Sequence, residues 1–100
     1  MKNCLEKKVS RIINKWAKKE GLPNISNYKE NIVDKYNLDS LNCLSLTMDL
    51  EEGLEIEISD KDIDEMFKTP LSKSYIGNKP AYASVKTISE YLRSHELISD

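Results

Sequence analysis

The chain has 100 residues, with 15 Lys and Arg against 17 Asp and Glu, a formal net charge of −2 and 39% hydrophobic residues. That length suits one domain with a modest core, and a near-neutral balance argues against a nucleic-acid binder, whose phosphate affinity rests on excess Lys and Arg. No stretch approaches the ~18 apolar residues of a spanning helix, and the N-terminus lacks the apolar run of a signal peptide, so a cytoplasmic chain with no membrane association is expected.

The charge is unevenly spread. Residues 1–20 hold seven basic and two acidic side chains, whereas residues 49–65 hold nine acidic and one basic. Residues 3–19 predict a helix, because Leu5, Val9, Ile12, Ile13 and Trp16 recur at the spacing of one apolar face. Lys7, Lys8, Arg11, Lys15, Lys18 and Lys19 take the remaining surface, read as a solvated face whose last lysines favour the helix dipole. Gly21 and Pro23 end the element.

Residues 21–39 read as a long connection laid over the core, with Ile25, Tyr28, Ile32, Val33, Tyr36 and Leu38 as its apolar anchors and a helical turn near 30–35. A second helix covers 40–52, with Asp39 or Ser40 as its N-cap. Leu54-Glu55-Ile56-Glu57-Ile58 alternates like a strand. No second strand is at hand to satisfy its backbone groups, so an extended connector is expected instead. Ser59 or Asp60 caps a short helix through Phe67, with Ile63, Met66 and Phe67 inward. Pro70, Gly77 and Pro80 make residues 68–83 a long loop. A last helix over 84–95 turns Val85, Ile88, Tyr91 and Leu92 inward, and residues 95–100 are expected to fray. The fold class is all-α, a small four-helix bundle in one domain over 1–100.

Helix 40–52 is the informative element. At ~100° per residue, Leu41, Leu44 and Met48 fall on one side, and Cys43, Leu46 and Leu50 nearly opposite. One stripe closes the core of a bundle this size. The other is read as a partly exposed surface of the kind that docks a partner, rimmed by Glu51 and Glu52, in preference to a helix buried all round.

Asp39-Ser40-Leu41, followed by Leu44, Leu46, Met48, Leu50-Glu51-Glu52, Ile56, Ile58 and Asp60, resembles the acyl carrier proteins. The resemblance reaches back through helix 3–19 and forward to Val85–Leu92, and so covers most of the chain in order. It implies the acyl-carrier type of four-helix bundle and a carrier without catalysis of its own. A phosphopantetheinyl transferase would move 4′-phosphopantetheine from coenzyme A onto Ser40, with Asp39 as motif neighbour. Leu41, Leu44, Met48, Glu51 and Glu52 would form the partner surface. The partners implied are acyl- or aminoacyl-loading and synthase enzymes acting on a monomer. The cargo stays open among acyl, peptidyl and aminoacyl groups, including D-alanyl. An unmodified helical interaction module of the same fold is the alternative from outside the carrier class, and a bare N-cap is the plain reading of Ser40.

Several positions depart from the family's pattern. Asn42 and Ser45 stand where acidic residues are frequent, Asn37 where Gly is common, and Ser59 where Pro is frequent. The 68–83 loop is longer than the family's usual link. These departures point to a specialised member whose electrostatic recognition is weaker or differently aimed.

Other chemistries fail on their residues. Asp60, Asp62 and Asp64 open like a calcium loop, but Glu65 and Leu71 occupy the positions that need Gly and a ligating Glu. Two distant Cys residues and one His cannot hold structural zinc, and Cys4 and Cys43 read as reduced thiols. Ser40 lacks the Gly-x-Ser-x-Gly elbow of a hydrolase. Cys43 falls on the core stripe, where it acts as a small hydrophobe.

Overall fold

A computed structural model describes the backbone of residues 4–67 and 82–98, and the side chains of all of these except Cys4 and Ser40. In chain order the helices are α1 (Cys4–Lys19), α2 (Ile32–Tyr36), α3 (Ser40–Leu54), α4 (Asp60–Phe67) and α5 (Val85–Ser94). No strand occurs among the described residues, and the all-helical bundle expected from the periodicities is the fold.

α1 buries Leu5, Val9, Ile13, Trp16 and Ala17. Cys43, Leu46 and Leu50 of α3 and Val85, Ile88 and Leu92 of α5 pack on that helix, and α4 adds Met66 and Phe67 to the same core through its contacts with α3 and α5. Each fully buried Leu, Ile or Phe contributes roughly 1.5–3 kcal/mol relative to exposure, which is what holds four short helices in one arrangement. Trp16 joins α1 to α3 and to α2. Its indole N–H donates to Ser45 Oγ of α3 at 3.1 Å, and its ring lies 6.2 Å from that of Tyr36 in α2.

The 21–39 stretch is more ordered than a loop with one turn: it contains α2 as a separate helix. Asn31 caps it by accepting the N–H of Val33, and the same Oδ1 accepts the N–H of Ala83 at 3.3 Å. Ile32 N–H to Ala83 O (2.8 Å) and Lys86 N–H to Tyr28 O (2.9 Å) tie this segment to the start of α5. Ile32, Val33, Tyr36 and Leu38 are buried as expected, but Tyr28 is 43% exposed.

α3 runs two residues past its expected end and stops where Glu55 turns left-handed at φ 58°. Residues 55–59 then form the extended connector, not a strand, with Ile58 buried. Ser59 caps α4, accepting the Asp62 N–H at 3.1 Å. α4 is fastened to α5 by Tyr91, whose hydroxyl donates to Asp62 Oδ1 at 2.6 Å. The frayed C-terminus is corrected over its described part: His95 stacks on Tyr91 at 3.8 Å, and Leu97 and Ile98 pack against the core. All but the last two residues of the 68–83 loop lie outside the described residues.

Candidate functional site

The site is built by the turn from α2 into α3. Asn37 adopts the left-handed conformation (φ 52°, ψ 52°), which Asn tolerates better than most side chains. Leu38 then plunges into the core, and Asp39 returns to extended backbone at φ −110°. The buried Leu38 thereby fixes where α3 begins.

Asp39, not Ser40, is the N-cap. Its Oδ1 accepts the Asn42 N–H at 2.8 Å, while Asn42 Oδ1 accepts the Asp39 N–H at 3.2 Å. This reciprocal box stabilises the helix start by about 1 kcal/mol. The capping duty is thus discharged without Ser40, which occupies the first helical position between two exposed neighbours, Asp39 and Leu41.

The two stripes of α3 separate as the periodicity requires. Cys43, Leu46 and Leu50 are fully buried, whereas Leu41 and Met48 are 67% and 66% exposed, and Leu44 is half-buried beside them. Burial pushes the Cys43 thiol up to about 12, with Asp39 adding to the shift. That suits an inert core side chain and not a nucleophile.

The predicted acidic rim divides. Glu52 is exposed, but Glu51 is half-buried and its Oε2 accepts the Ile58 N–H at 2.8 Å, steering the connector after α3. Asp49, one turn from Ser45, is paired with Lys19 of α1 at 2.8 Å. Three relationships could not be read from spacing alone. Asn42 completes the cap, Ser45 receives the Trp16 indole, and Glu51 holds Ile58. The Asp-x-x-Asn spacing was the only local signal, because the other two join separate elements.

A phosphate-bearing group fits this position. Ser40 opens a 15-residue helix, and helix N-terminal amides favour nearby anions; the Asp39 carboxylate already takes one of these amides, the Asn42 N–H. The neighbouring Leu41 and Met48 leave an exposed apolar strip beside it.

A small helical bundle that sets a serine at a helix start, beside an exposed apolar stripe, has the architecture of a carrier. The comparisons agree. A family described as "Phosphopantetheine attachment site" matches residues 10–72. The acyl carrier protein of Buchnera aphidicola subsp. Schizaphis graminum (strain Sg) is 37% identical over 79 residues, covering 77% of this chain and 95% of that protein. No solved structure matches the chain significantly. The chain belongs to the acyl carrier protein family. It is a phosphopantetheine carrier, and its prosthetic group is 4′-phosphopantetheine.

Proposed function

We propose that this chain carries acyl intermediates as thioesters on a 4′-phosphopantetheine arm attached to Ser40, and that it has no catalytic activity itself. The observation that carries the reading is the Asp39–Asn42 box, which caps α3 and leaves Ser40 without that structural duty, next to exposed Leu41. A serine kept only as a cap would sit where Asp39 sits.

In the loading step Ser40 Oγ attacks the phosphorus of coenzyme A that bears the pantetheine. It loses its proton to a base of the transferase and displaces the nucleotide portion, so that a serine phosphodiester replaces a phosphoanhydride bond. The bound arm supplies a terminal thiol for thioester formation. The rest falls to the chain's own residues: Asp39 and Asn42 hold the helix start, and Leu41, Leu44 and Met48 offer the docking surface for the transferase and for acyl-loading and synthase enzymes. Glu52 borders that surface.

No helix among the described residues is long and apolar enough to cross a membrane, which is compatible with work as a monomeric cytoplasmic shuttle. Peptide mapping after incubation with coenzyme A and a phosphopantetheinyl transferase tests the assignment. The adduct is expected on the peptide holding Ser40, and an adduct on any other residue would refute it.

A further inference from the structure

The side of α1 turned away from α3 carries a second surface. At ~100° per residue, the row Glu6, Ser10 and Asn14 falls nearly opposite Lys8, Ile12, Lys15 and Lys19, which border α3. With Lys7 and Arg11 on its flank and Tyr28 across from it, that row lines a groove of about 540 Å³. The Tyr28 backbone is fixed there, because its carbonyl accepts the Lys86 N–H of α5 at 2.9 Å. The residue is nonetheless 43% exposed.

The polar groups of this groove are donors. Both carboxylate oxygens of Glu6 accept from Arg93 at 2.9 Å, which neutralises the one acid among the described lining residues. Asn14 Oδ1 accepts the Ile25 N–H at 2.8 Å, which leaves its side-chain amide to donate. Lys7 and Arg11 are exposed and make no ion pair among the described residues. Arg11 stands on the ridge shared with the groove that holds Glu55, and it is not paired there either. The groove is therefore cationic, with one aromatic wall.

Its shape and charge select the occupant. Glu6 to Asn14 covers about 12 Å of helix at 1.5 Å per residue, the reach of three or four extended residues at about 3.3 Å each. One helix face and one tyrosine, the described walls, leave the groove open along its length, whereas a small-molecule site buries most of its ligand. The chain's own segment 68–81 holds Lys68, Lys73 and Lys79 and no acidic residue, so its charge is the wrong sign. A second copy offers an extended acidic stretch only at Glu55 and Glu57, next to an Ile58 buried in its own core.

We propose that this groove seats an extended acidic segment of a partner protein, with carboxylates against Lys7 and Arg11 and an apolar side chain against Tyr28. Opposite charge of this kind governs association rate and orientation more than bulk affinity. Because the groove lies on the side of α1 away from α3, it stays open while the Leu41–Met48 strip is covered.

The test follows the backbone amide resonances of the full chain at low ionic strength as the peptide acetyl-Glu-Glu-Phe-Glu-Glu-amide is added. Shifts should centre on Lys7, Ser10, Arg11, Asn14 and Tyr28 and leave Leu41 and Met48 unmoved. Lys7→Glu/Arg11→Glu should raise Kd by about tenfold, with the difference shrinking as salt is added. Lys8→Glu/Lys15→Glu makes the same change in net charge on the α3 side and should stay within about twofold of the native chain. Circular dichroism should show all three proteins equally helical, and acetyl-Lys-Lys-Phe-Lys-Lys-amide should not bind the native chain. Absence of saturable binding, shifts centred elsewhere, an equal loss in both variants or equal binding of the basic peptide overturns the proposal. Glutarate binding as tightly as the acidic peptide would make this a small-anion site, and self-association lost in Lys7→Glu/Arg11→Glu would make a second copy the occupant; either result overturns it too.

Discussion

Glu6 and Arg93 lie 87 positions apart and meet in a two-pronged pair, with both carboxylate oxygens accepting from the guanidinium at 2.9 Å. The pair clamps the start of α1 to the end of α5. The Arg93 hydrogen bonds, opposed in part by burial, hold the Glu6 carboxyl below the ordinary glutamate value of 4.5. A lowered carboxylate contributes stability that is fully present above 4.5 and is lost as pH falls through its folded value. Glu6→Gln should therefore lower stability by about 1 kcal/mol at pH 7, or about 4–8 °C in Tm. That gap should close as the pH is taken from 5 to 3. Thermal melts across this range check it, and a gap independent of pH would contradict the assignment.

The two faces of α3 predict opposite mutational behaviour. Leu46→Ala empties a fully buried position and should cost about 2–5 kcal/mol. Leu41→Ala and Met48→Ala remove exposed side chains and should cost less than about 0.5 kcal/mol, while slowing modification by the transferase. Denaturant unfolding set beside modification rates separates these effects. Destabilisation of core size at Leu41 or Met48 would place them in the interior instead.

The division of α3 was legible in the sequence because a 3.6-residue period sorts residues into faces without knowledge of neighbours. The connector at 55–59 was legible for a related reason, since Leu54–Ile58 had no partner strand. α2 was visible only as a turn, because five residues cover little more than one helical turn and show no repeat. The sequence places Glu51 on the surface rim and gives Ser45 no structural role, and the structure gives them partners in Ile58 and Trp16. Such partners are chosen by packing between elements, which a local pattern does not encode. Of the 95–100 stretch expected to fray, the described residues 95–98 are held by contacts that no local pattern encodes, with His95 stacked on Tyr91 and Leu97 and Ile98 against the core.

Two left-handed residues bound α3, Asn37 before it and Glu55 after it. Asn37→Gly should be close to neutral, whereas Asn37→Ala should cost about 1 kcal/mol, since a Cβ without a compensating side chain disfavours this backbone. Glu55→Gly should raise stability by a similar amount, because glycine suits the left-handed residue after a helix. Calorimetric Tm values check all three. Asn37→Ala should also slow modification of Ser40, because Asn37 and Leu38 together set where α3 begins.

The central claim, that Ser40 carries the arm, is tested most directly by intact mass after incubation with coenzyme A and a phosphopantetheinyl transferase, beside Ser40→Ala. The account predicts a gain of one phosphopantetheine in the native chain and none in the variant. A native chain left unmodified by the transferase of its own organism, or a Ser40→Ala chain that still gains the group, would contradict it.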